Sequence, residues 1–206
     1  MITIDVTSPS KLYRYSEKYW LDRSLNLGEF RLRPASAYKN EEHDLARNDD
    51  ELTRIHKSPA SDVTITTATG LRIQPRGEVI YRSQVGSNYL TVCFSDRWDE
   101  ALFEDFPGTD ACLVIHDVKE FSERFHAAAS ARLPTWIGID GPVSYGGRSE
   151  LGAVFSKPLR FITQHEWRFA WRPLVPNELV EAVVVQLGSI ANIAEIVERP
   201  HHAPSA

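Results

Sequence analysis

Residues Thr163-Gln164-His165-Glu166-Trp167-Arg168-Phe169-Ala170-Trp171 alternate with a period of two, which is the side-chain period of a strand. As one strand, the stretch puts Thr163, His165, Trp167, Phe169 and Trp171 on one face and Gln164, Glu166, Arg168 and Ala170 on the other. The aromatic face has to be core. The polar face has two readings: a solvated sheet surface on which Glu166 pairs with Arg168, or the floor of a pocket in which Glu166 is a fixed carboxylate with Gln164 beside it.

The rest of the chain reads as strands, hairpins and a few helices. Lys11–Tyr15 alternates, with Leu12 and Arg14 on one face and Tyr13 and Tyr15 on the other; Ser16 can cap a helix that Gly28 ends. Glu29–Arg33 is a second strand, stopped by Pro34. Asp62–Gln74 predicts a hairpin turning near Gly70, and Glu78–Ser95 a second one turning at Gly86-Ser87-Asn88. In its outgoing strand Thr91, Cys93 and Ser95 share a face opposite Val92 and Phe94. Trp98–Pro107 predicts a short helix. Ala111–Ile115 is a buried strand, and His116-Asp117 is its end and the cap of a helix over Val118–Arg132. Trp136–Tyr145 is a strand broken at Gly141-Pro142, and the apolar run Leu179–Leu187 closes the core. Frequent hairpins and outnumbered helices predict an α+β domain with a mixed, largely antiparallel core, with room for two small packed sheets.

At 206 residues, 42% hydrophobic and 25% charged, the chain has the length and balance for one domain over residues 1–200. Residues 201–206 read as a loose tail. Between Asn40 and Asp62 the composition turns to charge, and this stretch is a solvated insertion or a lid. A net charge of −5 disfavours a broad grip on nucleic acid, while a local basic groove remains compatible with it. No apolar run reaches the length of a membrane span and no signal peptide opens the chain, so a cytoplasmic protein is expected. Cys93 and Cys112 sit in apolar strands as reduced thiols, and no spacing of histidines and cysteines predicts a metal.

Three short motifs, Leu12-Tyr13-Arg14-Tyr15, Cys93-Phe94-Ser95 and Glu166-Trp167-Arg168, resemble those of a large bacterial family of unassigned activity marked by L-Y-[KR]-Y, C-F-S and E-W-R. In place of its usual P-S-x-F-N-D-P segment the chain has Pro34-Ala35-Ser36-Ala37-Tyr38-Lys39-Asn40. The order Arg14, Ser95, Gln164-x-Glu166, each expected on a strand, also resembles ADP-ribosyltransferases of the arginine-serine-glutamate type, with C-F-S standing where that class favours S-T-S. This second resemblance implies NAD as substrate without a metal, in a toxin or a component of phage defence. Breaking the bond between nicotinamide and ribose builds positive charge on the sugar, so Glu166 would face the cation, Ser95 would orient the carboxylate and Gln164 would position the acceptor, a protein or a nucleic acid. Arg14 would hold the pyrophosphate, with Tyr13 and Tyr15 offering rings for stacking. Two alternatives stand beside it: a sensor that binds a nucleotide or protein without turning it over, and a nuclease built on Asp44, Asp49 and His56 with a divalent ion.

Overall fold

The strand ending in Cys93-Phe94-Ser95 is the trunk of the fold. The computed structural model describes residues 7–40, 50, 52–147, 149–176 and 180–200. In chain order the elements are β1 (Leu12–Ser16), α1 (Lys18–Leu27), β2 (Glu29–Pro34), β3 (Thr53–Ser58), β4 (Ile65–Thr66), β5 (Arg72–Ile73), β6 (Val79–Gln84) and β7 (Leu90–Ser95). There follow α2 (Leu102–Asp105), β8 (Ala111–Ile115), α3 (Val118–Arg132), β9 (Trp136–Pro142), β10 (Ser144–Tyr145), β11 (Ser156–Lys157), β12 (Glu166–Pro173), β13 (Val183–Gln186) and β14 (Ala194–Glu198).

One edge of β7 is covered along its length by β12, from Glu166 opposite Ser95 to Trp171 opposite Leu90. The other edge is shared. β1 meets it at its end, Tyr13 opposite Ser95, and β2 at its start, Arg33 opposite Thr91 and Pro34 opposite Leu90. Two strands thus share one edge and lead to different neighbours, so the sheet forks. One arm runs from β1 to β8 and β14, the other from β2 to β13, and β9 continues the trunk beyond β12. All pairings in this eight-stranded sheet are antiparallel. The protein is thus an α+β domain with a largely antiparallel main sheet and small separate sheets, β3 with β6, β4 with β5 and the parallel pair β10 with β11.

The core follows the alternation. Val92 and Phe94 of β7 and Trp167, Phe169 and Trp171 of β12 face Phe121 and Phe125 of α3, with Phe30 of β2 closing the cluster. α3 begins where the sequence predicts, because the Asp117 side chain accepts from the Glu120 backbone N–H at 3.0 Å. Asp117→Ala removes that cap and should lower stability by about 1 kcal/mol. A denaturation midpoint that falls with an unchanged slope would show it.

Several expected elements differ. The helix after β1 is capped by Glu17, with no side-chain cap from Ser16. β6 and β7 do not form a hairpin: β6 pairs with β3, and β7 returns to the main sheet. The link is held to the turn after β2, where Ala35 N–H donates to the Tyr89 carbonyl at 2.8 Å and Asn88 Nδ2 to Ser36 Oγ at 2.8 Å. Of the charged stretch, residues 41–49 and 51 lie outside the described residues, while 53–58 is strand β3. The tail, 201–206, also lies outside them. Among the described residues no helix is long and apolar enough to cross a membrane.

Candidate functional site

The fork leaves the middle of β7's second edge uncovered between the footholds of β1 and β2. Arg14 fills part of it: Nη1 donates to the Cys93 carbonyl at 3.1 Å, and the guanidinium carbon lies 5.7 Å from the centre of the Phe94 ring. A cavity of about 380 Å³ opens at this point. It is lined by Tyr13, Arg14 and Tyr15 of β1, Ser95 at the end of β7, Glu166 at the start of β12 and Gln164 just before it, together with Arg31 and Arg33 of β2. Its size lies in the lower part of the range of small-molecule sites, roughly 300–1,000 Å³.

Glu166 is the first residue of β12, and register alone puts it beside the cavity, opposite Ser95, which is itself opposite Tyr13. Its backbone N–H donates to the Tyr145 hydroxyl at 2.7 Å. The side chain is buried, with Oε1 accepting from Arg168 Nε at 2.6 Å and Oε2 from Lys157 Nζ at 2.7 Å. The thiol of Cys93 completes the set. Burial by itself would raise the carboxyl pKa. The charges of Arg168 and Lys157, with the hydrogen bonds from Arg168 and Cys93, outweigh it and hold the group ionised, well below the carboxylate range. The same burial, together with the Glu166 charge, pushes the Cys93 thiol up to about 12. The thiolate form is therefore disfavoured there at neutral pH.

Gln164 is not on the strand with Glu166. Residues Leu159–Gln164 form a 3-10 helix begun by Pro158, and His165 turns the chain in a left-handed conformation, φ 42°, before β12 starts. A residue in that conformation breaks the period of two, so strand alternation does not set the relation of Gln164 to Glu166. Instead Lys157 Nζ bridges them, 2.9 Å from Gln164 Oε1. The hydroxyl of Ser95 donates to the Arg97 carbonyl at 2.7 Å and accepts from the Arg97 N–H, tying down the chain after β7. The orientation of Glu166 thus comes from Arg168 and Lys157. Tyr13 and Tyr15 pack with Trp98, and Tyr15 with Phe103, in a second apolar cluster, while also bordering the cavity.

Sequence reasoning did not find Lys157 or Tyr145. They are Cα partners in the parallel pair β10 with β11, two residues each, and strands that short leave no periodicity to read. Arg168 was legible two residues from Glu166 on the same face. What the alternation could not reveal is its complete burial and its bond to the Tyr89 hydroxyl at 3.2 Å.

The cavity is basic in an acidic protein. Arg14, Arg31, Arg33 and Lys157 line it against Glu29 and Glu166. Glu29 is held by a two-pronged bond from Arg23, at 2.9 and 2.6 Å, which adds a further cation near the rim. An excess of guanidinium groups on rigid strands favours a phosphorylated ligand. Among the described residues no group of three or more histidine, cysteine or acidic side chains is placed to hold a metal ion; Asp44 and Asp49 lie outside those residues. Compared with protein-family models, with curated proteins and with solved structures, the chain has no match.

Proposed function

We propose that the cleft at the fork binds an NAD-class dinucleotide and that the protein is an ADP-ribosyltransferase or NAD glycohydrolase. The observation that carries this is the meeting of Arg14, Ser95, Gln164 and Glu166, from segments far apart in the chain, around one cavity. In this reading the guanidinium groups of Arg14, Arg31 and Arg33 take the pyrophosphate. Glu166, kept ionised and fixed by its partners, faces the ribose whose bond to nicotinamide breaks. A carboxylate offers about four acceptor positions, more than Arg168, Lys157 and Cys93 occupy, so a ribose hydroxyl can join the set. The role of Ser95 is local, holding the turn that carries Arg97.

One observation favours a second reading, a sensor that binds the nucleotide without turning it over. Both carboxylate oxygens already face a cation, which lessens the negative potential available to a developing oxocarbenium ion.

The two readings separate by experiment. Calorimetry with NAD should show binding that Arg14→Ala weakens by about 10-fold or more, the worth of one charged hydrogen bond, roughly 1.5–3 kcal/mol. The transferase reading expects nicotinamide release that Glu166→Gln lowers by about 10²-fold or more. Circular dichroism must show that the variant is folded. Binding without release in the presence of protein and nucleic-acid acceptors selects the sensor, and absence of NAD binding removes both.

A further inference from the structure

β3 and β6 form a ribbon separate from the forked sheet, and β4 and β5 pair further along it. The ribbon is rooted at Leu52 and Val85, which pack against Ala35, Tyr89, Phe155 and Ala170. Beyond that root, residues 53, 55, 57–82 and 84 are all at least partly exposed. An isolated two-stranded ribbon is marginal in water. This one also exposes large apolar side chains, Ile55 at 54%, Ile80 at 60% and Leu71 at 63%. Apolar exposure of that extent in one segment marks a contact surface.

The charge of the segment defines its partner. Residues 53–84 carry five basic side chains, Arg54, Lys57, Arg72, Arg76 and Arg82, against the two acidic ones of Asp62 and Glu78. The whole chain has a net charge of −5, so the ribbon is a basic projection from an acidic body. Lys57, Arg72, Arg76 and Arg82 are all exposed. Ile55 lies opposite Arg82 and Lys57 opposite Ile80. Directly paired residues share a sheet face, so these four make a checkerboard of two isoleucines and two cations.

A protein interface would place few charges at its centre, whereas in the pairing of β3 with β6 the exposed Ile55 and Ile80 each have a cation directly across, Arg82 and Lys57. Cations spaced along a narrow ribbon suit a phosphodiester backbone, with the isoleucines against sugars and base edges. A two-stranded ribbon fits the major groove of B-form DNA, about 12 Å wide, whereas the major groove of an RNA duplex is too narrow to admit it. We propose that residues 53–84 form a DNA-binding arm that lies in the major groove of a duplex. This holds whether or not the cleft turns NAD over.

Fluorescence anisotropy with the full chain and a labelled DNA duplex of about two helical turns tests it. If the four exposed cations each neutralise a phosphate, affinity should fall about 10²-fold between about 50 and 200 mM salt. The triple variant Lys57→Gln, Arg72→Gln, Arg82→Gln should bind at least about 10-fold more weakly at the lower salt and flatten the log–log salt slope by about 3. Its circular dichroism and melting temperature should match the parent. The proposal fails if the duplex does not bind at low salt, if the triple variant binds as the parent does, or if an RNA duplex binds more tightly than DNA. It also fails if sedimentation shows that these cations hold a dimer with no affinity for DNA.

Discussion

Arg168→Ala should cost about 3–5 kcal/mol of folding stability, the usual cost of breaking a buried charge pair from one side. The guanidinium has no exposed surface, and it bonds the Glu166 carboxylate, the Tyr89 hydroxyl and the Val154 carbonyl. Truncation leaves all three without that donor in the interior. Glu166 then keeps Lys157 as its cation, and the balance between burial and opposite charge moves toward the neutral acid. In the parent the folded-state pKa is depressed, so the stabilisation from this group is complete above the ordinary unfolded value, about 4.3. It is lost as pH falls toward the depressed folded value. In Arg168→Ala the folded value moves up toward the unfolded one, so the acid-linked loss should be smaller and should be complete at higher pH. Chemical denaturation of both proteins across the acid range measures both effects. Equal stabilities, or identical acid profiles, would show that the Arg168 bond to Glu166 contributes little to the fold.

Gly28→Ala should cost about 3 kcal/mol, whereas Gly70→Ala should cost only about 1 kcal/mol, and the contrast separates two physical causes. Both glycines have positive φ, 62° and 85°, so both substitutions carry the strain of the left-handed region, about 1–2 kcal/mol at most. A Cβ on Gly70 would meet nothing within 4 Å, while one on Gly28 would stand 2.1 Å from the Gly188 carbonyl oxygen and 2.8 Å from Leu187 Cβ. The nearest of these is a backbone atom that no rotamer change can move, and the Leu187 N–H donating to the Gly28 carbonyl at 3.0 Å fixes the approach. Relief requires the end of β13 to move, an overpacking cost of about 1–3 kcal/mol. Thermal melts of the two variants side by side decide it. Equal shifts would mean that only the strain matters.

Gly28 also illustrates how much the sequence carries. Its place as the end of α1 was legible, because a glycine after an amphipathic run is a local signal. Its close approach to Gly188 was not, since the two lie far apart in the chain and nothing in either neighbourhood marks the other. The aromatic face of β12, the alternating faces of β1 and β7 and the extent of α3 were legible for the same local reason: strand and helix periods are written in neighbouring residues. The expected hairpin from β6 to β7 failed because turn residues mark a change of direction and leave the pairing partner open.

The candidate site divides along the same line. The strand alternation that selected Glu166 and Ser95 also gave the side on which each lies, and the order of Arg14, Ser95 and Glu166 along the chain was visible from the start. Whether the three would surround one space depended on the register of three strands and on β1 and β2 sharing one edge of β7. Lys157 and Tyr145 come from strands two residues long, placed by the chain around them. The sequence by itself determined which faces are apolar, where α3 begins and that Glu166 and Arg168 share a side. Only the tertiary structure decided that this side is buried and basic and open at a fork, because long-range pairing chooses among partners that local patterning leaves equivalent.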